Sequence, residues 1–466
     1  MSIIIPANTL AAAGGFSVDN SCRFDYASSD NVHKTPGSAG SGTKFVFSTW
    51  IKRTKLATAM NIIYAQTATN NYERIRFVGT DKIEISGVAS GSTAYNFATD
   101  AVYRDPSAWM HLHVIRDSTQ GTASNRLKVY VNGVLQALTQ DTALSQNYSG
   151  LITGSNVHRI AIGNGEPLGA YLAEVILLDG QVITPDGNTG EFDEDSGIWK
   201  PLDVSGLTFG TTGFHLDFQA SGNLGNDANG GDDFTEVNID ATNQSTDTCT
   251  NNFATMLPLT KSTDATLSEG NLNVTYGTAS TRRAIFGSIV VTAGKWFCET
   301  KVIATSQTSV EMNLGISNTY NPEAIGNALI SANGFTVSLF PSNGSLYIGS
   351  TRDEQGLGNL AVNDIIGMAI NIDDGTLQFY KNGSALGSAN DITTGDSDDG
   401  ELYPGFTIAN SCSSGGQTFT ASHNFGSPAY SESGGNSDAS GFGNFSMSVP
   451  SGFFSICTKN LAEYGG

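Results

Sequence analysis

In KFVFSTWIKR, Phe45, Phe47 and Ile51 fall on one side of an extended chain and Val46, Ser48 and Trp50 on the other, the two-residue period of a β-strand. The pattern returns at short intervals in RIRFV (74–78), DKIEIS (81–86), WMHLHVIRD (109–117), RLKVYVNG, HRIAIGN and YLAEVILLDG. Clusters of Gly, Asn, Asp and Ser separate these runs and read as turns, and no amphipathic helix interrupts them. After GFHLDF (213–218) the chain turns into a long polar tract, from QASGNLGNDANGG onward. A second strand series then runs through ATLSEGNLNVTY, GKWFCETKVIA, EMNLGIS, GFTVSLF, SLYIGS and DIIGMAINIDDGTLQFYKNG. A Gly/Ser-rich stretch, SESGGNSDASGFGNFSMSVPSG, precedes the apolar ending FFSICTKNL.

One element occurs twice. LKVYVNGVLQALT, from Leu127, and TLQFYKNGSALGSA, from Thr376, both place Asn-Gly between alternating runs. Asn-Gly suits a two-residue hairpin because both turn residues must accept a positive φ. A Trp-led strand lies upstream of each copy, at Trp109 and Trp296. The expected fold is all-β: two antiparallel jelly-roll sandwiches in tandem, each within the size of one β domain. The pattern divides the chain into an N-terminal arm (1–20), a first sandwich (21–220), a connector (221–262) and a second sandwich (263–466).

Composition agrees with turn-rich β architecture: 466 residues with 54 glycines and only 14% charged side chains. The net charge of −21 would repel phosphate backbones and anionic lipid, so neither nucleic acid nor membrane is an expected partner. Five scattered cysteines, Cys22, Cys249, Cys298, Cys412 and Cys457, form no CxxC pair, and small buried core residues are the expectation. MSIIIPANTLAAAGG lacks the basic start and long apolar run of a signal peptide, so synthesis in the cytoplasm is expected.

The first series, with FSTWIKR, WMHLHVIRD, KVYVNGV, HRIAIGN and LAEVILLDGQVI, resembles laminin-G-like and pentraxin-like domains. The second, with ATLSEGNLNV, GKWFCETKV, LGIS, DIIGMAINIDDGTLQFYKNG and YPGFTI, resembles SPRY domains. Both families share the concanavalin A-like sandwich, which implies that each copy of the hairpin belongs to one of two related folds. The domain order, with YLAEVILLDGQVITPDGNTGEFDEDSGIWKPLD and TDTCTNNFATMLPL between them, is similar to virion proteins of marine tailed bacteriophages. Cys249 departs from that pattern, where Pro is expected.

The acidic stretch GEFDEDSGIW places Glu191, Asp193 and Asp195 at alternate positions. Glucanases of the same superfamily use an E-x-D-x-E strand motif, because retaining hydrolysis needs two carboxyl groups about 5 Å apart. Here the last acid is Asp195 and the flanks TPDGNTG and SGIW read as loop, so catalysis is not the expectation. Ca²⁺, which takes about six to eight oxygen ligands, is the one cofactor that the resemblance leaves open for these three residues. GNDANGGDD (225–233) and DSDDGE (396–401) share the acidic composition; each of the three stretches also reads as a solvated acidic turn. An EF-hand is excluded at Asp227 because the fifth position is Gly231 and the twelfth Asn238. His111 and His113 would share one face of a strand without an evident third metal ligand.

The resemblance implies a non-enzymatic phage virion surface protein, a tail fibre or fibre-like adhesin, whose loops bind a host-surface glycan or protein. It would be made in the cytoplasm of an infected bacterium, work on the particle surface beside other virion proteins, and self-associate there. The alternative is a capsid or tail decoration protein held in place by the apolar segment Ile3, Ile4 and Ile5 acting as an assembly anchor. A third reading, a glycan-degrading enzyme, depends on Glu191 and Asp193. A sugar site needs an aromatic platform, for which Tyr148, Tyr171 and Tyr320 are the candidates from sequence.

Overall fold

The computed structural model describes residues 15–261, 265–277, 284–306, 312–318, 336–340, 344–348, 351–392, 405–412, 418–431 and 434–465. Two compact units meet in sequence between Asn251 and Asn252. Each is an antiparallel sandwich, so the all-β tandem expected from the alternation is the observed fold.

In the first sandwich one sheet runs, edge to edge, Val134–Leu135, Leu127–Val131, Met110–Asp117, Lys44–Arg53, Ala170–Asp179, Ser21–Phe24 and Gln244–Ser245, with Phe214–Leu216 also paired to Ala170–Asp179. The other runs Leu138–Thr142, Ser92–Thr99, Ile83–Ala89, Asn71–Phe77, Met60–Ala68, Val157–Ile160, Asn31–Lys34 and Thr235–Val237. Alternate residues of both sheets, among them Phe45, Phe47, Ile75, Phe77, Ile85, Val114 and Leu172, form one core.

The alternation predicts a solvated outer face, yet every residue of Ala170–Asp179 is buried, and all but the first of Lys44–Arg53. A second layer explains this. Val204 and Phe209 cover Val46, Ile115 and Ile176 on the outer face, and Trp199 and Val18 cover Trp50 and Ala173. The stretch expected to be a connector, 221–262, belongs largely to this sandwich: Thr235–Val237 pairs with Asn31–Lys34, and Gln244–Ser245 with Ser21–Phe24. Its composition hid this because its core residues, Leu224 and Phe234, stand singly among Gly, Asn and Asp with no sustained period, and polar groups supply the rest of the anchoring. Asp247 accepts from Lys52 Nζ at 2.7 Å, both buried, and Asp240 caps a turn through Thr242.

The second sandwich places Ala265–Ser268, Asn273–Tyr276, Phe419–Asn424, Lys295–Thr305, Ile365–Asn371, Thr376–Lys381 and Ser384–Asp391 in one sheet. Ala284–Phe286, Thr407–Cys412, Met312–Ser317, Thr336–Phe340, Ser345–Ile348 and Thr351–Glu354 form the other. Trp296, Cys298, Met368, Ile370, Leu377 and Phe379 lie in its core. Phe445 and Met447 cover Phe297 and Ala369 on the outside. A short helix, Thr458–Tyr464, closes the described chain, an element that the apolar ending did not announce. Cys22, Cys249, Cys298 and Cys457 are buried thiols without disulfides, as expected.

Both Asn-Gly hairpins form in their expected registers. Asn132 and Gly133 have φ of 47° and 75°, and Asn382 and Gly383 have 49° and 86°. Each asparagine also clasps the neighbouring strand. His111 N donates to Asn132 Oδ1 at 2.7 Å and Ile365 N donates to Asn382 Oδ1 at 2.8 Å. The reciprocal bonds, from Asn132 N to His111 O and from Asn382 N to Ile365 O, are both 2.9 Å.

Candidate functional site

Glu191 and Asp193 come together on a hairpin of Gly190–Phe192 with Trp199–Pro201, but around a lysine. Lys200 Nζ lies 3.3 Å from Glu191 and 3.2 Å from Asp193, while Asp195 is exposed in the turn. Asp193 Oδ1 accepts from Ser196 N and Oγ at 2.9 and 2.8 Å. These bonds and the Lys200 ammonium hold its carboxyl down at about 2. A proton donor or a Ca²⁺ ligand set does not fit carboxylates committed to an ammonium and a turn. The 225–233 loop is arranged in the same way, with Lys34 Nζ 3.0 Å from Asp227. Among the described residues no group of three His, Cys, Asp or Glu could hold a metal. The 396–401 stretch, Ile3, Ile4, Ile5 and Tyr320 lie outside the described residues.

His111 and His113 are buried beneath the second layer rather than free to bind metal. Trp199 Nε1 donates to His111 Nδ1 at 3.1 Å, which leaves Nε2 to donate to Ser48 Oγ at 2.7 Å. His113 bonds Thr189 Oγ1 and Ile183 O, each at 3.0 Å. Tyr171 is buried and Tyr148 packs edge-on against Tyr95, so neither is an open platform.

A different face gathers the polar groups. On the second sheet of the first sandwich, Ile63, Ile75, Phe77 and Ile85 point into the core. The intervening Tyr64, Tyr72, Arg74, Arg76, Glu84 and Ser86 therefore stand on the outer side. Arg159 joins them because Val157–Ile160 pairs with Met60–Ala68 in a register that sets Arg159 opposite Tyr64. Tyr64 and Tyr72 stack at 5.2 Å with 27° between ring planes, and the Arg74 guanidinium lies 5.1 Å from the Tyr72 ring. A small hairpin, Ile162–Gly163 with Glu166–Pro167, folds over the edge of this row. Its turn is a third Asn-Gly, with φ of 50° at Asn164 and 74° at Gly165. Gly163 is required there, since a Cβ would stand 2.4 Å from Tyr64 Cγ.

Arg76 bridges the row, donating to Glu84 at 2.8 Å and to both Glu166 oxygens at 3.0 Å. Arg74 donates to Glu84 at 3.2 Å and to Ser86 Oγ at 3.1 Å. Burial would raise the Glu84 carboxyl, but the bonds and charges of Arg76 and Arg74 outweigh it and hold the group below its ordinary value. Asn61 Nδ2 donates to Gly163 O and Glu166 Oε2, both at 2.9 Å. Three polar atoms in this network are buried yet unpartnered: Asn61 Oδ1, Tyr64 OH and Arg159 Nη1. Buried polar atoms of this kind are ordinarily satisfied by an ordered water.

Residues 26–185 match the Laminin_G_3 family, described as the concanavalin A-like lectin/glucanases superfamily, and residues 297–420 match the SPRY domain family. The chain carries these two domains in tandem. No curated protein matches it. Among solved structures it is similar to the SPRY domain of human HERC1, at 14% identity over 36% of this chain and 96% of that one, TM-score 0.29. Mouse laminin α1 domains LG4-5 align over 98% of this chain and 90% of theirs at 8% identity, TM-score 0.31. A putative carbohydrate binding protein from Bacteroides ovatus aligns over 48% and 61% at 15% identity, TM-score 0.32. Likenesses this remote say nothing about a ligand. The outer face with its unpartnered atoms lies wholly within the Laminin_G_3 match. Sequence reasoning passed it over, although NYERIRF alternates Tyr72, Arg74 and Arg76 against Glu73, Ile75 and Phe77. That was the available signal. The partners Asn61, Arg159 and Glu166 come from three other segments and had none.

Proposed function

We propose that this protein is a non-enzymatic binding module whose Laminin_G_3 domain takes a saccharide on the outer face built around Tyr64 and Tyr72. The observation that carries this reading is the half-buried Tyr72, backed by the buried Tyr64 it stacks on and flanked by Arg74 on the outer face. A pyranose ring can pack on the open side of Tyr72, and its hydroxyls, which both donate and accept, can bond the half-buried Arg76 and its carboxylate partners. The engagement of Glu191 and Asp193 by Lys200 supports binding without hydrolysis. The similarity of the stretch from Tyr171 to the second domain to phage virion proteins supports a place on a particle surface, with host glycan as the partner.

Glycan-array screening of the full chain is the test. Retained saccharides that are lost on Tyr72→Ala, while Glu191→Gln leaves them bound and uncleaved, are the expected result. Binding that survives Tyr72→Ala, or cleavage that Glu191→Gln stops, would sink the reading. Immunogold labelling of purified particles checks location separately: label at the tail tip fits adhesion, and label over the head fits decoration.

A further inference from the structure

Under the second layer of the first sandwich, a buried amine is held against a buried carboxyl. Lys52 lies two positions on from Trp50, on the side of its strand that this layer covers. Its Nζ stands 2.7 Å from Asp247 Oδ2, with the two side chains only 1% and 2% exposed. Aromatic groups wall the pair. The amine lies 5.7 Å from the Tyr171 ring, and Trp109, 6.3 Å from the same ring, donates from Nε1 to Asp247 Oδ1 at 3.0 Å. The backbone of Asp247 is fixed as well: its N donates to Ser245 Oγ at 3.1 Å, and Ser21 Oγ donates to its O at 2.6 Å. Burial lowers the Lys52 amine below its ordinary value, against the pull of Asp247 and Asp105. Charges that are dry on both sides return to amine and acid when one proton crosses the hydrogen bond between them.

From this geometry we infer that Lys52 and Asp247 condense to an amide, an internal cross-link between the strand Lys44–Arg53 and the chain just after Gln244–Ser245. A proton first passes from Nζ to Oδ2. The freed lone pair attacks Cγ, already held in contact, and the Trp109 N–H bonds the negative charge that gathers on Oδ1. One proton then moves from the nitrogen to Oδ2, which departs as water while the double bond to Oδ1 reforms. One C–N bond is made, one C–O bond is broken, and nothing is oxidised or reduced. The link joins residues 195 positions apart, so it constrains the unfolded chain as a disulfide would, without depending on the redox state of its surroundings. It is independent of the saccharide reading.

The test is mass spectrometry of the folded full chain after denaturation. The intact mass should fall below that of the sequence by about 18 Da, one water. Tryptic digestion should leave the bond after Lys52 uncut and yield its peptide joined to the one that contains Asp247. Lys52→Arg keeps a cation beside Asp247 but offers no amine, and should show the full mass. A full mass for the unchanged protein overturns the inference. So does a loss of water that persists in Lys52→Arg, the signature of a succinimide at a site such as Asp186-Gly187. The joined peptide is sought in the unchanged protein, so the outcome stands even where the variant does not fold.

Discussion

The two Asn-Gly hairpins are the same device in different settings. Each has its pair of left-handed residues, and each asparagine clasps the adjacent strand with one side-chain and one backbone bond of nearly equal length. Yet a Cβ on Gly133 would stand 2.4 Å from the Trp199 ring, while one on Gly383 would meet nothing within 4 Å. The first hairpin is pinned under the layer that covers its sheet, and the second ends in open space. Turn chemistry is therefore set locally, whereas how much a turn matters is set by whatever chain folds over it.

The largest expected contrast between the sandwiches is their response to acid. In the first, burial holds His111 well below its ordinary value and lowers His113 and His158 to about 4. In the second, His423 lies at about 3. A histidine kept neutral when folded takes up a proton on unfolding, so stability present above about pH 6.5 is lost as pH falls toward the folded value. His113 alone accounts for about 3 kcal/mol. His215 works in the opposite sense: burial would lower it, but the bond and charge of Glu174 raise it. It acts against these three, and the first sandwich should still lose protection faster than the second between pH 6.5 and 4, read by hydrogen exchange of peptides from each. Parallel loss would break the contrast.

Gly133→Ala comes next. A positive φ costs alanine about 1 kcal/mol at either turn. At Gly133 the displaced Trp199 should raise the total to about 3 kcal/mol by overpacking. Denaturant unfolding followed by tryptophan fluorescence suits this, since Trp50, Trp109 and Trp199 report the first sandwich and Trp296 the second. Equal effects of Gly133→Ala and Gly383→Ala would mean that Trp199 yields freely. Effects of about 1 to 2 kcal/mol each, and alike, are expected for Asn132→Ala and Asn382→Ala, because both remove the same side-chain acceptor and put alanine at a φ near +50°; the smallest, about 1 kcal/mol, is Gly383→Ala.

Strands and turns were legible because alternation and Asn-Gly act over a few residues. The second layer was not. Nothing in KFVFSTWIKR tells whether Trp50 faces water or Trp199, since period two marks opposite faces without saying what covers them. The tract 221–251 reads as a connector for a related reason: Leu224 and Phe234 enter the core from a stretch without a period, and the rest is anchored through Lys52–Asp247 and strand-edge bonds. Glu73 breaks its own pattern by pointing inward. There it meets Arg116 and the Tyr95 hydroxyl and accepts from Leu151 N and Ile152 N at 2.8 Å, partners no local rule supplies. The binding face was half legible: NYERIRF announces its own polar side, and the rest is assembled by topology.

Each sandwich ties its first residues to its last. Ser21 and Ser245 are partnered, Val18 N donates to Thr250 Oγ1 at 3.1 Å, and in the second unit Asn252 N donates to Thr458 Oγ1 at 2.9 Å. These bonds span 232 and 206 positions. On the ribosome, the first sandwich cannot close its seam until Thr250 has left the exit tunnel, by which time part of the second is already made. Those residues are still inside the tunnel, so the first sandwich can close its seam before the second presents an open edge, whereas the second stays open until Thr458 emerges.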